Sequence, residues 1–139
     1  MNDRVTRLLL GAFGALMFAG MLSQQAGPGG QGADVTFIKD DQTATIDCNR
    51  NAVSITGDDN KITVKGECTR LTVIGDDNEV KADNVNEVSV TGDDNKVAVN
   101  TVARISVKGD DNKIGWKKGA GGKKPEVSNI GDDNDITQD

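Results

Sequence analysis

The stretch Val53-Ser54-Ile55-Thr56-Gly57-Asp58-Asp59-Asn60-Lys61-Ile62-Thr63-Val64 decides the fold. Apolar and polar residues alternate on both sides of Gly57-Asp58-Asp59-Asn60, which is the period of a half-buried strand interrupted by four turn formers. The tetrapeptide recurs as Gly75 to Asn78, Gly92 to Asn95, Gly109 to Asn112 and Gly131 to Asn134, at steps of 18, 17, 17 and 22 residues. Lys39-Asp40-Asp41-Gln42 stands one 18-residue step earlier as a degenerate first copy. A unit repeated at such spacing buries its apolar face only by stacking on its neighbours.

Two short strands and two corners per repeat describe an all-β fold, a parallel β-solenoid of about five to six turns of 17–18 residues. Each strand then pairs with its equivalent one turn along. A right-handed coil is expected, as for crossover connections in general. Before the tetrapeptide the inward columns are Val53, Leu71, Val88, Ile105, Val127 and Ile55, Val73, Val90, Val107, Asn129. After it they are Ile62, Val80, Val97, Ile114, Ile136 and Val64, Ala82, Val99, Trp116. Cys68, Val85 and Val102 give a fifth inward column at the second corner. A left-handed coil of six-residue repeats lacks its apolar residue at every sixth position here. Paired nine-residue calcium-roll repeats match in part only, because one corner of the two carries the Gly/Asp signature.

The ends of the chain differ from this pattern. Residues 1–26 combine a short charged head, Asp3, Arg4 and Arg7, with an uncharged apolar run of 15 residues, Leu8 to Leu22. That length suits an export signal and falls short of a comfortable bilayer span. Gln24 fits a small-x-small cleavage site poorly, so retention as an N-terminal anchor is the other reading. Residues 27–33 form a flexible Gly/Gln-rich linker, and residues 34–139 are the solenoid domain. The last full corner, Lys117 to Glu126, is longer by about five residues and carries Lys117, Lys118, Lys123 and Lys124 among glycines, a basic surface loop. Trp116 closes the core near the C-terminal end.

Composition narrows the partners. The formal charge is −6, and loss of Arg4, Arg7 and Asp3 with the leader takes it to −7. Such a balance excludes nucleic acid, whose phosphates need a basic footprint. The chain has no His and no Tyr, so zinc is not expected either.

The tetrapeptide separates into parts. Its Gly suits a corner that needs φ > 0 or close backbone approach. Its Asn, at Asn60, Asn78, Asn95, Asn112 and Asn134, points inward by alternation and can form a ladder from turn to turn. Its two Asp columns, Asp58, Asp76, Asp93, Asp110, Asp132 and Asp59, Asp77, Asp94, Asp111, Asp133, are not required by the turn itself. Carboxylates roughly 5 Å apart repel by about 0.8 kcal/mol even in bulk water. They read as a solvated acidic ridge or as a row of oxygen ligands for Ca²⁺. Cys48 and Cys68 sit in the second corners of consecutive turns, within reach of a disulfide that an exported chain favours. A file of outward hydroxyls, Ser54, Thr72, Ser89, Ser106 and Ser128, reads as a solvated face.

The quoted repeat, V-x-V-x-G-x-x-N-x-V-x-V in general form, together with the early Cys48 and Cys68 pair, resembles a bacterial family of short exported proteins classed as a domain of unknown function, the 3060 type. The resemblance covers roughly residues 35–137 and implies a secreted or envelope β-solenoid with no known activity. Asp-Asp departs from the small residues usual in that family between Gly and Asn, so it implies nothing about the ridge.

These readings point to a non-enzymatic secreted or cell-envelope module with a structural or binding role and Ca²⁺ as a candidate stabiliser. The alternative is a carbohydrate-binding or carbohydrate-active β-helix protein. Acid/base catalysis needs two carboxylates in unlike environments, and identical ladder sites give them the same one. An envelope polymer or carbohydrate is the expected partner, a membrane only if the leader is retained. End-to-end self-association is open to the edge near Ile136. The expected location is periplasmic, envelope or extracellular.

Overall fold

In the computed structural model, which describes residues 34–139, the alternating arms are strands and each tetrapeptide is the corner between them. Nine strands follow in order: β1 (Val35–Ile38), β2 (Thr43–Asp47), β3 (Ala52–Thr56), β4 (Lys61–Ile74), β5 (Glu79–Thr91), β6 (Lys96–Lys108), β7 (Lys113–Gly119), β8 (Glu126–Ile130) and β9 (Asp135–Gln138). The three long strands run through the second corner, so each serves two successive turns. Every pairing is parallel: β1 with β3, β3 with β4, β4 with β5, β5 with β6, β6 with β7 and β8, β2 with β4, and β7 with β9. The result is a β-solenoid of about six turns. The expectations for residues 1–26 and 27–33 fall outside the described residues.

Register follows from the apolar columns, because a slip of one residue would turn every inward side chain to solvent. Val35, Val53, Leu71, Val88, Ile105 and Val127 are successive partners, as are Phe37, Ile55, Val73, Val90, Val107 and Asn129. In the other arm Ala44, Ile62, Val80, Val97, Ile114 and Ile136 stack in one column. All the Val, Ile and Leu members from Val53 to Ile114 are buried. Each such side chain contributes roughly 1.5–3 kcal/mol by leaving water. The coil thus needs few aromatics: Trp116, 6% exposed, ends the apolar column that runs from Ile46 through Val64, Ala82 and Val99, and Phe37 packs against the core from the first turn. Cys68, Val85 and Val102 line the second corner from inside.

Departures from a 17-residue step have local causes. Between Val64 and Glu67 the register of β4 on β5 shifts, and Gly66, at φ +86° with open space around it, is the residue that takes up the shift. The 22-residue step holds a single 3-10 turn, Ala120–Gly122, after which Pro125 is buried and β8 resumes the stack. Lys117, Lys118, Lys123 and Lys124 are exposed around it.

A disulfide joins Cys48 to Cys68 across consecutive turns, with Cα atoms 5.4 Å apart and 20 residues of separation. It ties the first turn, whose Val35, Phe37, Ala44 and Ile46 are only partly buried, to the well-covered second. Closing a loop of that length stabilises by about 3 kcal/mol in the chain-entropy model. Cys48→Ser with Cys68→Ser is therefore expected to lower Tm by more than 10 °C for a domain of this size. Thermal melts of the oxidised protein and the double variant check it; equal melts would show that the first turn is held without the bond.

Candidate functional site

The corner is the one structure that every turn shares, and its four residues have four different duties. Gly57 and its equivalents lie at φ between +124° and +131°. A Cβ at Gly75 would stand 2.2 Å from Gly57 O, so the backbones of successive corners touch where a side chain would be. Lys39 fills the equivalent place in the first corner. No corner precedes it among the described residues, and Lys39 is not among the residues of positive φ.

The first Asp of each corner is part of the fold. Asp58 Oδ1 accepts the Asp76 N–H at 2.9 Å, Asp76 Oδ1 accepts Asp93 N–H at 2.8 Å, Asp93 Oδ1 accepts Asp110 N–H at 2.8 Å, and Asp110 Oδ1 accepts Asp132 N–H at 2.8 Å. Asp40 Oδ1 does the same for Asp58 N–H at 3.0 Å, so the degenerate first corner keeps this bond. From the sequence alone both Asp columns are surplus to the turn; the inner one is not. No sequence signal separates the two, since Asp40 and Asp41 both survive in the corner where Gly and Asn are replaced.

The second Asp carries the backbone through the left-handed region. Asp41, Asp59, Asp77, Asp94, Asp111 and Asp133 have φ from +52° to +57°, a conformation that Asp and Asn adopt more readily than other side-chain-bearing residues. These carboxylates are exposed and make no hydrogen bond among the described residues.

The Asn closes the corner from inside. Asn60, Asn78, Asn95 and Asn112 are at most 1% exposed, and Asn134 is partly buried. Asn95 Oδ1 accepts both Asn78 N–H (3.1 Å) and Asn78 Nδ2–H (3.0 Å), while Asn95 Nδ2 donates to Gly75 O at 2.8 Å and to Asn112 Oδ1 at 3.0 Å. The same bonds recur from Asn112 to Asn134 and Gly92. An amide with two donor hydrogens and two acceptor lone pairs is fully used this way. Among the described residues no buried side-chain nitrogen or oxygen lacks a partner.

Both ends of the ladder fold back on themselves. Gln42, one methylene longer than Asn, donates Nε2 to Asp40 O (3.1 Å) and Asp41 O (3.2 Å). In an inner turn the atom equivalent to Asp40 O, Asp76 O, accepts the preceding turn's Asp59 N–H. At the other end Asn134 Nδ2 donates to Asn129 Oδ1 at 2.9 Å, and Gln138 Nε2 donates to Lys117 O at 3.0 Å. Asn129 stands in a column otherwise apolar, and its place at the end explains the change.

As a cation site the ridge is open. Among the described residues no three acidic groups converge in an arrangement that could hold a metal ion. Asp58 through Asp132 each commit one oxygen to a backbone N–H except at the last turn, and Asp59 through Asp133 face water. Desolvation in the corner, followed by repulsion from Asp41, Asp77, Asp58 and Asp40, holds the Asp59 carboxyl above the ordinary carboxylate value. The folded state thus binds its proton more tightly than the unfolded chain, and stability falls as pH rises from about 3.8 through the raised value. Asp59→Asn, which keeps the left-handed backbone, is expected to raise Tm at pH 7 and low salt. The gain should vanish near pH 3, where the charge is absent, and shrink in 1 M salt, which screens the repulsion but not the desolvation. A gain that persists in both would point to a cause other than repulsion. Glu79 runs the other way: the Lys61 hydrogen bond (3.0 Å) and charge lower its pKa, a stabilisation lost as pH falls below the ordinary 4.5.

The file of outward hydroxyls is continuous in register from Thr36 through Ser54, Thr72, Ser89 and Ser106 to Ser128, beside exposed Ile38, Ile74 and Ile130. No curated protein and no solved structure matches the chain. Residues 55–101 and 86–133 each match the model of the family described as Protein of unknown function (DUF3060); together they span the repeated corners from Gly57 to Asp133, and the chain belongs to that family.

Proposed function

We infer that the chain is an exported, non-enzymatic β-solenoid module of the cell envelope or extracellular space, with a structural or binding role. The observation that carries this reading is how the repeated corner is used: from Gly57 to Asn112 the Gly, inner Asp and Asn of each corner are consumed by turn-to-turn bonding, and the outer Asp repeats one exposed environment six times. Catalysis by paired carboxylates draws on unlike environments, and the ridge does not supply them. The Cys48–Cys68 disulfide supports an oxidising compartment, since such bonds persist there and not in the reducing cytosol. Cell fractionation with thiol labelling tests the reading. Envelope or medium location with both cysteines oxidised is expected; a cytosolic protein with free thiols would overturn it.

Calcium enters this reading as a counter-ion along the ridge. Support comes from the carboxylate repulsion that, after desolvation in the corner, holds the Asp59 pKa up, and a divalent cation relieves such repulsion more strongly than a monovalent one. A larger rise in Tm with Ca²⁺ than with Na⁺ at equal ionic strength is the expected result, and equal rises would reduce the effect to screening.

A further inference from the structure

We propose that the two ends of the coil are built so that neither can receive the other, which keeps the chain a single coil of finite length instead of a head-to-tail filament. A parallel coil invites such growth. Among the described strands β1 and β2 at the first turn, and β8 and β9 at the last, each pair on one side only. A free sheet edge is a template for another chain, and repeated joining of last turn to first does not close. Apolar residues would favour the junction. A second copy continuing the register of the coil would set Val127 beside Val35 and Ile130 beside Ile38, and Val127, Ile130 and Ile38 are all exposed.

The first corner refuses the turn that would precede it. At the corner glycines from Gly57 to Gly131, φ is +124° to +131° and a Cβ would stand 2.0–2.2 Å from the carbonyl oxygen of the corner before. Lys39 holds that place in the first corner, has a Cβ and lacks that φ, so the Gly131 carbonyl of a second copy finds no room there. The ladder is withheld as well. Inside the coil the inner Asp carbonyl accepts the outer Asp N–H of the turn before, as Asp76 O does from Asp59 at 3.1 Å, and the Asn amide donates to the preceding Gly O, as Asn78 Nδ2 does to Gly57 O at 2.8 Å. Asp40 O already receives Gln42 Nε2, and that amide is spent on its own corner instead of on Gly131 O.

Charge opposes the same junction. Along one outward file Ala52, Arg70, Glu87, Arg104 and Glu126 are successive partners, and its charges alternate in sign, with Arg70 to Glu87 at 2.9 Å and Arg104 to Glu126 at 3.0 Å. Asp34, one residue before Val35, heads this file, and its Oδ1 accepts Ala52 N–H at 3.4 Å. Glu126 of one copy would therefore meet Asp34 of the next. Asp47 pairs with Lys65 at the first turn, while Asp139 follows Gln138, the partner of Trp116, at the last; these two would also meet. Like charges directly opposed across strands are destabilising, and the sign alternation that helps each inner interface is reversed at the join. In the core column Asn129, turned onto Asn134 at 2.9 Å, would have to lie against Phe37.

Sedimentation velocity of the full chain, in neutral detergent that covers the apolar run Leu8 to Leu22, tests the proposal. The parent is expected to keep one mass over a roughly twentyfold range of concentration. Lys39→Gly with Gln42→Asn and Asp34→Arg gives the first corner the Gly and Asn of an inner one and sets an opposite charge against Glu126. Its average mass is expected to rise at least threefold over the same range. Lys39→Gly with Asp34→Arg leaves the Gln42 bonds in place and serves if the triple variant does not fold; its mass is expected to rise as well. Thr36→Cys with Ser128→Cys, at the two ends of the hydroxyl file, become neighbours only across such a junction, and are expected to crosslink copies in the opened background and not in the parent. Parent copies that crosslink at these positions, or folded variants that keep the parent's mass, would overturn it.

Discussion

Replacing Asn95 by Ala is expected to cost at least 3 kcal/mol of stability, close to a third of what a domain of this size possesses. The substitution removes one side chain and strands three groups: Asn78 N–H, one hydrogen of Asn78 Nδ2, and Gly75 O. Asn78 is 1% exposed and Asn95 wholly buried, so water cannot replace what is lost without entering the coil. Each buried group left without a partner costs about 1–3 kcal/mol. For a domain of about 100 residues this is a fall in Tm of more than 10 °C. Asp94→Asn, one residue away on the exposed ridge, is expected to leave Tm unchanged or raise it. The comparison separates the ladder from the ridge within a single corner. Because coil stability is roughly a sum of turn-to-turn interfaces, a break at Asn95 also divides the stack in the middle, and loss of two-state melting is a second expected sign.

Gly92→Ala should be damaging for a different reason. The new Cβ would lie 2.1 Å from Gly75 O and 2.8 Å from both Gly75 C and Asp76 Oδ1. Two of these atoms are backbone, so relief requires the turns to part, and parting them stretches Gly75 N–H to Thr91 O (3.0 Å), Asp77 N–H to Asp93 O (3.1 Å) and Asn95 Nδ2 to Gly75 O (2.8 Å). The residue also sits at φ +124°. Overpacking and backbone strain together amount to about 2–6 kcal/mol. Gly121→Ala supplies the comparison, since Gly121 has φ +64° with nothing near its missing Cβ. Only the left-handed penalty of about 1–2 kcal/mol applies there. Chemical denaturation of the two variants measures the difference, and equal losses would show that close approach between corners is not what excludes a side chain.

Much of the fold was legible because a solenoid repeats its instructions. Alternation around each tetrapeptide placed Val53, Leu71, Val88 and Ile105 in one column without any long-range information, and the pairing follows that register throughout. The Cys48–Cys68 bond was legible from its position in adjacent corners. The inner Asp was harder. Its bond runs from a side chain to a backbone N–H one turn away, and a backbone group leaves no mark in the sequence. Gln42 and Asn129 show the same limit: as exceptions to the repeat they read as noise, yet each turns an amide back onto the end of the ladder. The ion pairs were illegible for another reason, because pairing of Arg70 with Glu87 or Arg104 with Glu126 depends on register across turns.

The division of each corner into a bonded interior and a free outer carboxylate can be read residue by residue from native-state amide hydrogen exchange. Asn60, Asn78, Asn95 and Asn112 N–H each donate to the next Asn Oδ1 at 2.9–3.1 Å. In Asn78 and Asn95 both donor and acceptor are buried, and their amides are expected among the slowest in the protein, opening only with the whole coil. Exchange at Asn78 and Asn95 as fast as in the Gly119 to Lys124 loop would contradict the ladder as the element that holds the turns together.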